Sequence, residues 1–360
     1  MSFNTIPEMF HKQCNKYPES RVAMMYKSDG VYCSMTYGEL RYKVETLAMG
    51  LLEMGLRTGD RVGMVSENRI EWIIADLAIS IVGAVSVPVF PTLTSKQLTY
   101  IFNNCEANAI IVSNDFQLRK VLECKSELRS LHHLIVMNDS FTTDDLAVRS
   151  MAGLMKRGAE VRDDEDRRSI IDNRISKVAP DMLHTVIYTS GTTGDPKGVM
   201  LTHHNISSNV CAVQEANDFN EDDIFLSFLP LCHAYERSSA YYAGFSVGAV
   251  LALAESVESV KTNIIEVRPT IMTVVPKLLE MLKKKIVLSM EKEPGFKRKF
   301  FQWSVNTGVK YVHAKLEGRI PFGLQSKYNI ADKFVFSKIR EVLGGRMRLF
   351  ASGGAAMPID

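Results

Sequence analysis

Apolar positions recur along this chain at a helical spacing in some stretches and as short, nearly continuous β-branched runs in others. Leu40, Val44, Leu47 and Leu51 hold the helical spacing directly after Thr36-Tyr37-Gly38-Glu39, a capping box, and Gly55 stops the run. Strand-like and helix-like patterns then alternate. A strand is predicted over 61–65, a helix from about 70 to 81, a strand over 85–89, a helix opened by Thr94 with Gln97 three residues on, and strands over 110–112 and 134–137. Such alternation predicts βαβ units and a mostly parallel sheet covered on both faces.

The alternation returns in the second half. Strands are predicted over 185–189 and 199–201, followed by a helix from about Asn205 that turns Ile206, Val210 and Val213 inward. Strands over 224–229, 249–253 and 271–275 follow, and Pro276 suits the first turn of another helix. Between the halves, residues 156–177 are dense in charges of both signs and read as a solvated surface connector. The pattern thus gives an α/β protein of two repeated subdomains, roughly 1–155 and 178–360. The apolar stretch from Trp72 to Phe90 is interrupted by Asp76, Gly83 and Pro88, so it reads as a buried helix running into a buried strand rather than a membrane span.

The densest chemistry lies between the strands at 185–189 and 199–201. Ser190, Gly191, Thr192, Thr193, Gly194, Asp195, Pro196, Lys197 and Gly198 supply three glycines, three hydroxyls and a lysine in nine residues. Glycines let backbone N–H groups approach an anion closely, hydroxyls add neutral donors, and lysine adds a mobile charge. As residues alone they describe either a phosphate cradle or a glycine-rich turn. A Walker A loop is excluded, because Lys197 is followed by Gly198 and a strand rather than by Ser or Thr and a helix. A dinucleotide-binding turn is excluded for the same lack of a helix.

Tyr188 and Thr189 with those nine residues resemble, without a break, the phosphate-loop signature of the adenylate-forming (AMP-binding) superfamily. Leu229-Pro230-Leu231-Cys232-His233-Ala234-Tyr235-Glu236-Arg237 resembles the segment that borders the acyl pocket in long-chain acyl-CoA synthetases. Ala351-Ser352-Gly353-Gly354-Ala355-Ala356 resembles the strand-end turn against which adenine packs. The resemblance covers essentially the whole chain. It implies an acetyl-CoA-synthetase-like large domain of two packed sheets and a fatty-acid–CoA ligase of medium- to long-chain acids, with ATP, Mg²⁺ and CoA. Acyl transfer to a carrier protein, or a catalytically silent nucleotide- or acyl-binding module, are the alternatives.

By resemblance, Ser190, Gly191, Thr192, Thr193, Gly194 and Lys197 hold phosphates, with Lys197 also catalytic, and Thr189 is a Mg²⁺ ligand. Ser352, Gly353, Gly354, Ala355 and Ala356 take the nucleotide base, and His233 stands beside the acyl carboxylate or the adenylate. Glu236 and Arg237, about one helical turn from His233, read as a surface pair. Family members carry a glutamate for Mg²⁺, an aspartate for the ribose and a lysine on a mobile C-terminal domain, all beyond the position matching Asp360. The sequence therefore reads as a truncated large domain with the lid domain absent, and predicts slow turnover or none by this chain alone.

Composition adds bounds. Basic and acidic side chains nearly balance, 43 against 41, which implies no nucleic-acid partner. Six cysteines without pairing or metal spacing, and an N-terminus lacking a signal-peptide core, point to the cytoplasm. Between Lys277 and Arg319, eleven basic residues face four acidic ones, with Phe296, Phe300, Phe301 and Trp303 interleaved. This is either a basic surface for peripheral contact with anionic membrane or an ordinary solvated helix face over core aromatics.

Overall fold

The capping box forms as the sequence requires. The Thr36 hydroxyl accepts from the Glu39 amide at 3.2 Å, and the Thr36 amide donates to the Glu39 carboxylate at 2.8 Å, opening the helix Tyr37–Glu53. Thr94 and Gln97 open Ser95–Asn104 in the same way. The computed structural model describes residues 2–161, 164–189, 194–291 and 293–356. It divides into two compact units, Met1–Val257 and Glu258–Asp360.

In chain order the first unit carries strands Val22–Ser28 (β1), Val31–Thr36 (β2), Arg61–Val65 (β3), Val85–Val89 (β4), Ala109–Val112 (β5), His133–Val136 (β6) and Val148–Ser150 (β7). Leu183–Thr189 (β8), Lys197–Thr202 (β9), Ile224–Ser227 (β10) and Val250–Leu253 (β11) complete it. One sheet has the order β7-β6-β5-β3-β4-β8-β9, parallel except for the antiparallel β8–β9 pair. In a second sheet β10 and β1 flank β11 in parallel, and β2 adds antiparallel to β1. The central strands β3, β4 and β5 are buried on both faces, which is why they read as continuous apolar runs. Val65, Val87, Ile110, Val112 and Val136 share one core.

The helix Ile70–Val82 is buried on nearly every side, Trp72 and Asp76 included, as the apolar stretch from Trp72 foretold. No helix among the described residues is long and apolar enough to cross a membrane.

The charged stretch 156–177 is a correction. It is helical, within Met151–Glu160 and Asp164–Lys177, and it does not separate the units. Its inward stripe starts with a charge: Arg167 is buried beside Glu45 (3.9 Å) and over the Tyr42 ring, followed by buried Ile171. Against the helix Tyr37–Glu53, a Cβ at Gly158 would lie 2.0 Å from the Thr46 carbonyl oxygen, so only glycine permits that approach.

In the second unit, Ile271–Val274 (β12) and Leu349–Ser352 (β13) pair in parallel, and between them run the helices Pro276–Glu291, Gly295–Leu316 and Phe322–Ala331. Phe300 stacks on Trp303 at 5.3 Å, so these two aromatics serve the unit's own packing, while Phe296 is 73% exposed.

Candidate active site

The glycine-rich stretch joins β8 to β9. Their antiparallel register sets Thr189 opposite Lys197 and Tyr188 opposite Gly198, so hydroxyl and ammonium flank the two feet of the loop. β8 runs parallel to β4, with Ser86 beside Thr185, so Thr189 emerges at the carboxyl edge of the parallel strands. Ligands of open α/β sheets gather at that edge. Thr189, Gly194 and Lys197 are exposed, and Gly194 has φ +149°, a conformation available to glycine. Ser190, Gly191, Thr192 and Thr193 lie outside the described residues.

His233 is anchored to the same edge by a residue the sequence did not single out. Asn68, just beyond the end of β3, donates from Nδ2 to the Leu229 carbonyl at 2.7 Å and accepts at Oδ1 from the Leu231 amide at 2.8 Å. That two-pronged grip fixes the approach to His233, whose Nδ1 accepts from the Tyr235 amide at 3.3 Å and caps the short helix Ala234–Glu236. The His233 side chain is exposed. Its neighbour Cys232 is buried, and burial pushes its thiol up to about 12, which makes it a packing residue rather than a nucleophile.

Glu236 and Arg237 are not a surface pair. Both are buried, and each has its own partner: Glu236 accepts from the Ser227 hydroxyl at 2.5 Å, and Arg237 forms an ion pair with Asp76. Arg237 also donates to Thr185 Oγ1 (2.9 Å), Ser86 Oγ (2.8 Å) and the Tyr242 hydroxyl (3.0 Å), and its guanidinium lies over the Trp72 ring. A π-helical turn, Arg237–Tyr242, brings Arg237 and Tyr242, five residues apart, onto one face. The Tyr242 hydroxyl donates to Asp76 Oδ2 at 2.6 Å and lies 2.9 Å from His184 Nε2.

Burial raises the Asp76 carboxyl above the usual range while the adjacent guanidinium pulls it back. For Arg237 burial pulls down, but the Asp76 charge outweighs it and holds the guanidinium protonated. Burial, and then the Arg237 charge, hold His184 well below its ordinary value and His203 at about 4, so both imidazoles are neutral.

The predicted adenine turn belongs to the second unit. Ser352 ends β13, the Gly353 amide donates to the Val274 carbonyl at 3.1 Å, and Gly354 turns the chain at φ +78°, leaving Ala355 and Ala356 exposed. Among the described residues no three His, Cys, Asp or Glu side chains gather as a metal site. The Thr189 hydroxyl is a single hard oxygen. It suits Mg²⁺ that keeps phosphate and water oxygens for its other positions.

A model of the AMP-binding enzyme family matches residues 10–360. The chain belongs to that family. It is 32% identical to a long-chain-fatty-acid–CoA ligase, ACSBG2, of Xenopus laevis over 94% of this chain and 46% of that protein. It is 31% identical to the peroxisomal long chain acyl-CoA synthetase 7 of Arabidopsis thaliana over 96% of this chain and 47% of that one. Among solved structures, a long-chain-fatty-acid-CoA ligase from Archaeoglobus fulgidus superposes with a TM-score of 0.65 at 23% identity, covering 80% of this chain and 54% of that one. The adenylation domain of a carboxylate reductase from Mycobacterium chelonae gives 0.70 at 21% identity, covering 98% and 54%. These likenesses show the α/β fold. The chain spans about half the length of the curated relatives it matches.

Proposed function

We propose that this AMP-binding chain supplies the ATP- and acyl-binding part of a fatty-acid–CoA ligase that activates medium- to long-chain acids through an acyl-adenylate. The observation that carries the reading is the strand–loop–strand setting of Thr189 and Lys197 at the carboxyl edge of the parallel sheet, with the His233 segment tied to that edge. Similarity to long-chain acyl-CoA synthetases over nearly all of the chain supports the acyl class.

In the reaction a carboxylate oxygen attacks the α-phosphorus of ATP. The new P–O bond forms as the bond to the bridging oxygen breaks, and pyrophosphate leaves with the electron pair. CoA thiolate then attacks the acyl carbon and AMP departs. Both first reactants are anions, so alignment and charge neutralisation dominate the barrier. Lys197 and the backbone donors of 190–194 hold the β- and γ-phosphates and then the departing pyrophosphate. Mg²⁺ on Thr189 supplies further charge neutralisation when bound. His233, on an anchored cap, orients the carboxylate or the adenylate. Ser352 to Ala356 receive the flat base.

Free thiols support a cytoplasmic assignment. Peripheral contact with anionic membrane through 277–319 is supported by exposed Phe296, Val309, Val312 and Leu316 among the lysines, and liposome sedimentation that fails to respond to anionic lipid would remove it.

Calorimetric titration with non-hydrolysable acyl-adenylate analogues of rising chain length tests the function. Affinity should climb with chain length up to the medium or long range. Chain-length-independent affinity, or none, would contradict a fatty-acid site.

A further inference from the structure

Arg237 occupies an unusual position for a fully buried charge. Its guanidinium reaches four elements at once: Asp76 on the helix Ile70–Val82, Ser86 on β4, Thr185 on β8 and Tyr242 across its own π-helical turn. It is 1% exposed and Asp76 0%. Burying such a pair costs so much desolvation that apolar residues of equal volume commonly stabilise a fold as well or better. Its retention therefore calls for a geometric explanation.

Two of its links lead to the site. One helical turn back along its own segment, the Arg237 amide donates to the His233 carbonyl at 3.1 Å. Four residues forward along β8 from Thr185 stands Thr189, the foot of the phosphate loop. Thr185 is itself clamped, donating to the Ser86 carbonyl at 2.8 Å. A planar fork with fixed donor directions transmits position in a way that a flexible lysine does not.

We infer that Arg237 is a positioning residue that locks the His233 segment to β8, so that the acyl side and the phosphate side of the site keep one register. Arg237 touches no substrate in this account; it acts through Thr185 and through the turn that carries His233. The inference deepens the fatty-acid–CoA ligase reading and rests on it for the identity of the two sides.

The experiment compares the unsubstituted protein with Arg237→Met, Arg237→Lys and the milder Thr185→Val, all checked for folding. ATP engages the loop through its β- and γ-phosphates, whereas an acyl-adenylate analogue lacks these and depends on the His233 side. Arg237→Met should lower affinity for a long-chain acyl-adenylate analogue at least tenfold and affinity for ATP less than threefold. Arg237→Lys should recover part of the loss, and Thr185→Val should weaken the analogue about threefold. Equal losses for both ligands, or no loss in folded Arg237→Met, would overturn the inference.

Hydrogen exchange provides an arm that needs no ligand. In Arg237→Met, or in Thr185→Val if the former fails to fold, the amides of 185–189 and 233–237 should lose protection together while those of β5 and β6 keep theirs. Uniform loss, or loss in only one of the two segments, would also overturn it. Failure of the unsubstituted protein to bind either ligand would instead remove the ligase reading and leave the exchange arm to decide the positioning.

Discussion

The two ends of β8 differ in every respect that matters to chemistry. At the inner end, His184 and Thr185 are buried in a network of fixed donors around Arg237 and Asp76. At the outer end, four residues later, Thr189 faces Lys197 in solvent. The outer residues can meet a highly charged ligand because they are exposed. The inner groups bonded to Arg237 give precision because each has few alternatives to its present partner. One strand thus joins a buried, densely bonded foundation to an exposed edge.

The largest effect should come from breaking the foundation. Arg237→Met leaves Asp76 buried without its counter-charge and should cost about 3–5 kcal/mol in denaturant unfolding. Replacing both partners, as Arg237→Met with Asp76→Leu, should return most of that stability without returning the ligand register. A double variant as unstable as the single one would show that the pair carries more than charge compensation.

Acid should loosen the same end next. His203 titrates at about 4 in the fold against 6.5 for the ordinary side chain, and neighbouring His184 is also held low. The unfolded chain therefore takes up protons first as pH falls, so this stability is complete above pH 6.5 and is lost toward pH 4. His203 alone accounts for about 3 kcal/mol by that shift. His203→Asn, whose Oδ1 can still accept from the Ile6 amide where Nδ1 does, should flatten the slope; an unchanged slope would move its origin elsewhere.

The smallest effect belongs at the end of β9 opposite Leu183, away from Thr189 and Lys197. Thr202 closes β9 and caps the helix His203–Ala216 through a reciprocal pair with Asn205 at 3.2 and 3.0 Å. Thr202→Ala should cost about 1 kcal/mol in thermal or denaturant unfolding and leave ATP affinity within twofold. A larger loss of ATP affinity would mean that β9 is less independent of its helix than the ladder suggests.

How much of this was legible in the sequence follows the same division. The glycine-rich stretch 190–198 stood out because its glycines, hydroxyls and lysine lie close together in the chain. The α/β class was legible from strands that are apolar throughout, as in β3 to β5. The foundation was hidden because Asp76, Ser86, Thr185 and Arg237 are separated by up to 161 residues and meet only in three dimensions. Asp76 could be seen as an interruption in an apolar helix, yet nothing local named its partner. Arg237 reads as a surface residue by type, and the π-helical turn that it opens, with Arg237 and Tyr242 both buried, has no local signature. The helix Asp164–Lys177 was missed for a related reason: its buried stripe begins with Arg167, and the abundance of charge masked the helical period. Asn68 gave no signal at all, since a bridging amide looks like any loop asparagine.

The most direct test of the site lies at Lys197, where exposure predicts function without a structural penalty. ATP and a non-hydrolysable acyl-adenylate analogue would be titrated into the unsubstituted protein and into Lys197→Ala. Lys197 is assigned to the β- and γ-phosphates, which the analogue lacks. The account predicts at least a tenfold loss of ATP affinity, analogue affinity within twofold and an unchanged melting temperature. Equal affinity for ATP in the two proteins would contradict it.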